Sequence, residues 1–196
     1  MKRLILTFSC ILFAFCLQAS YILIPMNHDN QKNHLKAYGI AYWVIDNGVE
    51  VYWLLNYEGG SFAFTHTDIF EKECKTRGVS YKVIPNAQFH QIRTDINNPE
   101  VNQEVIKLEQ APKIAVYTPD FNARGEKIQP WDDAVTLVLT YAEIPYETVY
   151  DRDVLEEKLA EYDWLHLHHE DFTGQYGKFY YSQSNKPWYK ENQRKM

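Results

Sequence analysis

The sequence predicts a mixed α/β protein: a small β-β-α-β unit followed by a parallel sheet with alternating helices. Three observations predict it. Apolar, aromatic-rich runs flank Asp46-Asn47-Gly48, a turn signal of the kind that joins strands. Short apolar runs at 113–119, 146–151 and 163–169 alternate with two segments of helical periodicity. The composition, 45% hydrophobic and 23% charged, is that of a globular chain. No internal repeat or low-complexity run interrupts it.

The first segment is a leader. Lys2 and Arg3 precede the apolar run Leu4–Leu17, and the small residues Ala19 and Ser20 follow. That run is shorter than the roughly 20 residues a membrane-spanning helix needs. Residues 1–20 therefore read as a secretory signal peptide, and an N-terminal membrane anchor is the alternative. Phe13-Ala14-Phe15 is too bulky before Cys16 for a lipid-attachment site. The expected location is the periplasm or the extracellular space, with no membrane attachment after cleavage. Loss of Lys2 and Arg3 takes the formal charge from −6 to −8, so nucleic acid is excluded as a partner class. Cys10 and Cys16 leave with the leader. Cys74 remains without an intrachain partner, and the fold must rest on its core.

Residues 21–35 are polar after the first few and read as a linker. Residues 36–84 form the β-β-α-β unit. In it AYGIAYWVI and VEVYWLLNY read as a hairpin, with Val49, Val51, Trp53, Leu55 and Tyr57 on one face. A helix is predicted over 67–77, with Asp68 in its first turn, Ile69, Phe70 and Cys74 on one stripe, and Gly78 as its stop. A strand follows at 79–84. Residues 85–112 are a polar connector with a short helix at 99–109, on the spacing of Val101, Val105 and Leu108.

Lys113 starts a different rhythm. Residues 113–119 are near-continuously apolar, as in a strand covered on both faces. A helix is predicted over 131–143, with Asp132 and Asp133 at its start and Ala134, Leu137, Val138 and Tyr141 facing inward. A strand over 146–151, a helix over 153–162 with Val154, Leu155 and Leu159 inward, and a strand over 163–169 complete the pattern. Asn185 and Pro187 open a last helix. Three parallel strands are few for an open sheet. The expectation is a fragment of a longer reading frame, and a true stop behind a frayed helix is the alternative.

Candidate site residues concentrate where the last strand ends. Ligands in open α/β sheets bind beyond the carboxyl ends of strands. His168, His169, Glu170 and Asp171 are therefore candidate catalytic residues, a histidine beside a carboxylate being suited to proton transfer. His166, His168 and Glu170 alternate onto one strand face and are candidate metal ligands. Gly59, Gly60, Ser61 and Thr173 are candidate ligand-binding residues, through loop amides ahead of a helix. The bland alternatives stand beside these. His166 is a hydrogen-bonded core residue, the strand-end cluster braces a loop, and Gly59–Ser61 is a plain connection. Cys74 is an inert buried thiol. Tyr176, Phe179, Tyr180, Tyr181, Trp188 and Tyr189 make either a sugar-stacking platform or a packing surface.

From KIAVYTP through WDDAVTLVLTYAEIPYETVYD to VLEEKLAEYDWLHLHH, the sequence resembles the first half of the class I glutamine amidotransferase-like superfold. The likeness is to its ThuA-like branch, through Tyr162-Asp163, the apolar WLHLHH and the polar turn Glu170–Gly174. From AYGIAYWVIDNGVEVYWLLNYEGGSF onward it also resembles an exported bacterial family commonly labelled asparagine synthetase B. The resemblance implies a flavodoxin-like parallel sheet with helices on both faces over 113–196. Glutaminase chemistry needs a cysteine on a strand-to-helix turn, and the sequence has no cysteine after Cys74. A glutamine-dependent synthetase uses a cysteine directly after the initiator Met, and position 2 here is Lys. Three functional readings follow. The first is an exported amidotransferase-like protein of unassigned activity. The second is a non-catalytic glycan- or peptide-binding module. The third is a hydrolase using the His-x-His metal site. No cofactor is implied, a small molecule or glycan is the expected partner, and the oligomeric state is left open.

Overall fold

The computed structural model describes residues 20–118, 125–127, 134–167 and 181–195. It places a five-stranded antiparallel sheet and a three-stranded parallel sheet in one chain, with six α-helices among the described residues.

The antiparallel sheet begins with β1 (Ser20–Ile24). Its residues Ile22, Leu23 and Ile24 are all buried, because β1 lies between two strands and both sheet faces are covered. Residues 21–35 are thus not a free linker. The polar stretch after β1 is fastened by Gln31, whose side chain is buried. Its Nε2 donates to the Pro25 and Ser80 carbonyls at 3.3 and 3.2 Å. Its Oε1 accepts from the Asn33 and Ser80 amides, also at 3.3 and 3.2 Å. A buried amide with its polar atoms partnered is a stable fastening.

The expected first hairpin strand is a helix instead. α1 (His34–Asp46) is capped by Asn33, whose side chain accepts from the Lys36 amide. Ala37, Ile40, Ala41, Val44 and Ile45 bury one face at helical spacing. The β-branched and aromatic content of this run favoured a strand, but its burial follows the helical period. Asp46-Asn47-Gly48 ends the helix rather than turning a hairpin. Gly48 has a φ of 75°. The Gly48 and Val49 amides donate to the Ile45 and Val44 carbonyls at 2.8 and 3.2 Å, a Schellman stop.

β2 (Val51–Leu55) and β3 (Ser61–Thr65) form the true hairpin. β3 was missed by sequence, hidden behind the break signal Glu58–Ser61. α2 (Asp68–Thr76), capped by Thr67, agrees with the predicted helix, and Phe70 and Cys74 of its expected stripe are buried while Ile69 is exposed. β4 (Lys82–Pro85) agrees in part with the predicted strand over 79–84. The connector 85–112 is not irregular: it holds α3 (Asn86–Ile96) and β5 (Glu104–Leu108), a strand where a short helix was expected. The strand order is β4-β1-β3-β2-β5, every pair antiparallel.

Two helices cover one face of this sheet and one covers the other. Ile22, Ile24, Val51, Phe62 and Phe64 pack with α1 and α2, including Phe70 and Cys74. Leu23, Leu54, Ala63 and Ile84 pack with Phe89, Ile92 and Ile96 of α3. Val49 and Trp53, placed by sequence on one face with Val51, do pack on that side, but Tyr57, expected there too, packs on the α3 side.

The parallel sheet comprises β6 (Ile114–Tyr117), β7 (Glu147–Val149) and β8 (Trp164–Leu167), in the order β7-β6-β8. α4 (Ala134–Ala142) packs through Leu139 on Ile114 and Val116 of β6. The stripe expected to face inward is the wrong one. Leu137, Val138 and Tyr141 are 45%, 41% and 48% exposed, while Thr136, Leu139 and Ala142 are buried. This helix is apolar nearly all round, so periodicity offers two stripes. The buried one packs Leu139 on β6 and ends at Ala142, which lies against Gly39 of α1. The helix expected over 153–162 is split into α5 (Asp151–Leu155) and a 3-10 turn (Lys158–Glu161), and Val154 and Leu155, expected inward, are exposed. Glu157, at a φ of 62°, breaks it. α6 (Pro187–Lys195) is the last helix, with Pro187 at its start as expected.

The two sheets meet through α1 and α4. The Tyr42 ring joins the parallel-sheet cluster, and its hydroxyl donates to the Pro112 carbonyl at 2.8 Å. Asn33 Nδ2 donates to the Tyr141 hydroxyl at 3.2 Å. Glu143 pairs with Lys36 and, at 3.1 Å, with Arg77. Glu143 occupies the left-handed position of the α4 stop, at a φ of 60° where glycine is usual. Its two cation partners offset that conformational cost.

Candidate functional site

The parallel sheet sets the geometry of the candidate site. β6 is the first of its strands in sequence and the middle one in space. Parallel pairing puts the carboxyl ends of all three strands at one edge: Tyr117 lies opposite Val149 on one side and Leu167 on the other.

Several groups are held at that edge. The Tyr117 hydroxyl donates to the Asp151 carboxylate at the start of α5. The Tyr117 and Tyr150 rings lie 5.3 Å apart. Thr118 is buried, and its amide donates to the Val149 carbonyl at 3.0 Å, carrying the β6–β7 pairing one residue past the strand. Asp153 accepts from the Tyr150 amide at 3.0 Å. A hydrogen bond from Lys158 holds its carboxyl below the usual range, with the Tyr150 amide adding to the effect.

His166 lies within β8, paired in register with Val116 and therefore on the face that α4 covers. It is half-buried, and among the described residues no hydrogen bond engages its ring. His168, His169, Glu170, Asp171 and Thr173 lie outside the described residues, so the proposed catalytic cluster and the second and third metal candidates do too. Among the described residues, no three His, Cys, Asp or Glu side chains are grouped to hold a metal ion.

Gly59, Gly60 and Ser61 belong to the other sheet, where they join β2 to β3 rather than leading into a helix. Their polar groups serve the hairpin. The Gly60 and Ser61 amides donate to the Tyr57 carbonyl at 2.9 and 3.0 Å. The Ser61 hydroxyl donates to the same oxygen at 2.9 Å, and the Gly60 carbonyl accepts from Trp53 Nε1 at 3.2 Å. Gly59 is required by contact as well as by its φ of 83°. A Cβ there would lie 2.6 Å from the Met26 and Asn27 backbone.

Sequence reasoning missed a polar chain at the start of β1. Ser20 Oγ lies 3.1 Å from His66 Nδ1, and His66 Nε2 lies 2.8 Å from Glu71 Oε2. The other Glu71 oxygen accepts from Lys75 at 2.6 Å and from Tyr81 at 2.9 Å. Lys75, His66 and Tyr81 together pull the Glu71 carboxyl down to about 2. An ionised carboxylate only accepts, so a neutral His66 carries its proton on Nε2 and receives the Ser20 O–H at Nδ1. The chain ties the start of β1 to the residue after β3 and to α2. Only the strand register brings Ser20 to His66, and register is not readable from this sequence alone.

The described residues contain no helix long and apolar enough to cross a membrane. Comparison with protein-family models, curated proteins and solved structures finds no match for this chain.

Proposed function

We propose that this chain is an exported, amidotransferase-like α/β protein whose small-molecule site lies beyond the carboxyl ends of β6 and β8. The observation that carries the reading is the strand order β7-β6-β8 with all strands parallel. In doubly wound sheets of flavodoxin-like order the first strand is flanked in this way. The crevice between it and the third strand in sequence is where ligands bind. Here that crevice lies between the ends of β6 and β8, and the sequence runs from β8 directly into His168–Asp171. Among the described residues β8 lies at the edge of this sheet, with Trp164 51% exposed. Export rests on the leader-like residues 1–20.

The reaction is left unassigned, since glutaminase chemistry needs a cysteine nucleophile and the sequence holds none after Cys74. A thermal-shift screen of the protein against L-glutamine, related amides and oligosaccharides tests the reading. A hit whose shift disappears in Asp151→Asn and His166→Ala supports it; a hit indifferent to both variants contradicts it. The exposed Trp188, edge-to-face with Tyr189 at 5.7 Å, favours a second reading as a glycan-binding module. Oligosaccharide binding lost in Trp188→Ala, with Asp151→Asn binding normally, would select that reading.

A further inference from the structure

We propose that Asn47, in the stop of α1, is a deamidation site that the folded chain holds shut and that opens when the end of α1 comes undone.

The sequence supplies the reactants. Asn47-Gly48 is the one Asn-Gly pair in the chain. Asparagine amides are thermolabile, and a following glycine has no Cβ to obstruct approach of its nitrogen to the side chain. Both residues are exposed, so water reaches them. The Gly48 nitrogen attacks Asn47 Cγ, and the bond from Cγ to Nδ2 breaks. The proton lost from the Gly48 nitrogen passes through solvent to Nδ2, which leaves as ammonia. Water then opens the five-membered imide at either carbonyl. One opening leaves aspartate at 47. The other leaves iso-aspartate, with the backbone rerouted through the side-chain carbons.

The folded geometry opposes ring closure at both reacting groups. Asn47 has a φ of −82° and a ψ of 11°. At that ψ the Gly48 nitrogen nearly eclipses the backbone nitrogen of Asn47 and is turned away from Cβ. Closure needs it eclipsed with Cβ instead, about a third of a turn around the Cα–C bond of a tetrahedral carbon. That rotation breaks the stop, because the Gly48 amide donates to the Ile45 carbonyl at 2.8 Å and the Val49 amide to Val44 at 3.2 Å. The leaving group is engaged as well. Asn47 Nδ2 donates to the Trp43 carbonyl at 2.8 Å, where the Asn47 amide also donates at 3.1 Å.

Once formed, the products undo the stop that resisted them. A carboxylate at 47 cannot donate to the Trp43 carbonyl. It also places negative charge at the C-terminal end of α1, where the helix dipole disfavours it. Iso-aspartate lengthens the backbone by a carbon, so the Gly48 and Val49 amides lose their alignment with Ile45 and Val44. Ile40, Val44 and Ile45 of α1 pack in the core on the antiparallel sheet, so a chain carrying iso-aspartate at 47 refolds poorly.

The test incubates the full chain with and without denaturing urea at the same pH and temperature. Peptide mapping by mass spectrometry follows conversion of Asn47 and resolves iso-aspartate from aspartate. The expected result is conversion at Asn47 ahead of every other asparagine in urea, and at least about tenfold more slowly in the folded chain, where it must wait for local opening. Equal rates in the two conditions overturn the proposal, as does faster conversion in urea at another asparagine. After dilution from urea, size exclusion separates compact from expanded chains. The compact pool is expected to be depleted in iso-aspartate at 47, and equal iso-aspartate in both pools overturns the link to the α1 stop.

Discussion

Gly39→Ala is the perturbation whose sign depends most on how the two sheets meet. At an ordinary helical position the change gains about 1 kcal/mol of helix propensity. Gly39 faces Ala142 at the end of α4, and a Cβ built there would lie 1.8 Å from the Ala142 carbonyl oxygen and 2.9 Å from its carbon. Contacts under 3.0 Å are essentially never seen for real Cβ atoms, so the helices must part by about 1.2 Å. The clashing atoms are backbone, so no side-chain rotation relieves them. Overpacking of this kind costs about 1–3 kcal/mol, occasionally more. The parting also strains contacts that cross the same junction, Glu143 with Lys36 and Arg77, and Asn33 with Tyr141. The expected net effect after the propensity gain is destabilisation of up to about 2 kcal/mol, in place of the gain of about 1 kcal/mol that an unobstructed helical position would show. Urea unfolding followed by tryptophan fluorescence reads it, with Trp43 on α1 as one reporter. Ala142→Gly should not rescue the variant, because the obstacle is the carbonyl and not the Ala142 methyl. A Gly39→Ala protein more stable than the parent by the full propensity gain of about 1 kcal/mol would refute the close approach of α1 and α4.

Three further outcomes follow from the packing and the charges. Glu71 is held ionised to about 2, below its ordinary 4.5, so the stability it contributes is present above the unfolded value and lost as pH falls toward 2. Melting temperatures measured from pH 6 to pH 2 should therefore fall less steeply in Glu71→Gln than in the parent, and identical slopes would exclude the role. Cys74 is fully buried, and burial pushes its thiol up to about 12, so a chain beginning at Ser20 should show no thiol reactive to Ellman's reagent until it is unfolded. Phe89→Ala should cost about 3–5 kcal/mol. It empties the centre of the α3 face, where the Phe89 ring stacks on Tyr21 at 3.9 Å and meets Tyr52 at 5.2 Å.

The parallel half of the chain was more legible than the antiparallel half. Residues 114–117, 147–149 and 164–167 are strands inside the predicted ones, because short apolar runs between helical segments have few other solutions. The antiparallel half misled at α1, where Tyr38, Tyr42, Trp43 and Val44 weigh toward a strand. Burial there falls on Ala37, Ile40, Ala41, Val44 and Ile45, a helical stripe visible only by spacing. Asp46-Asn47-Gly48 deepened the error, since a left-handed glycine serves a helix stop as well as a hairpin. α3 was lost because Phe89, Ile92 and Ile96 are thin apolar marks in a polar stretch. The site was partly legible. Alternation and the strand-end rule drew attention to β8 and the residues after it. The Tyr117–Asp151 and Ser20–His66–Glu71 contacts depend on register and on non-local pairing, which spacing does not encode.

The central claim is that the ligand site lies beyond the ends of β6 and β8. Amide chemical-shift mapping of the isotope-labelled protein, titrated with L-glutamine and with an oligosaccharide panel, tests it most directly. The account predicts shifts concentrated at Thr118, Asp151 and Leu167, with Gly59, Gly60 and Ser61 unmoved. Shifts confined to the β2–β3 hairpin or to the α3 face of the antiparallel sheet would contradict it.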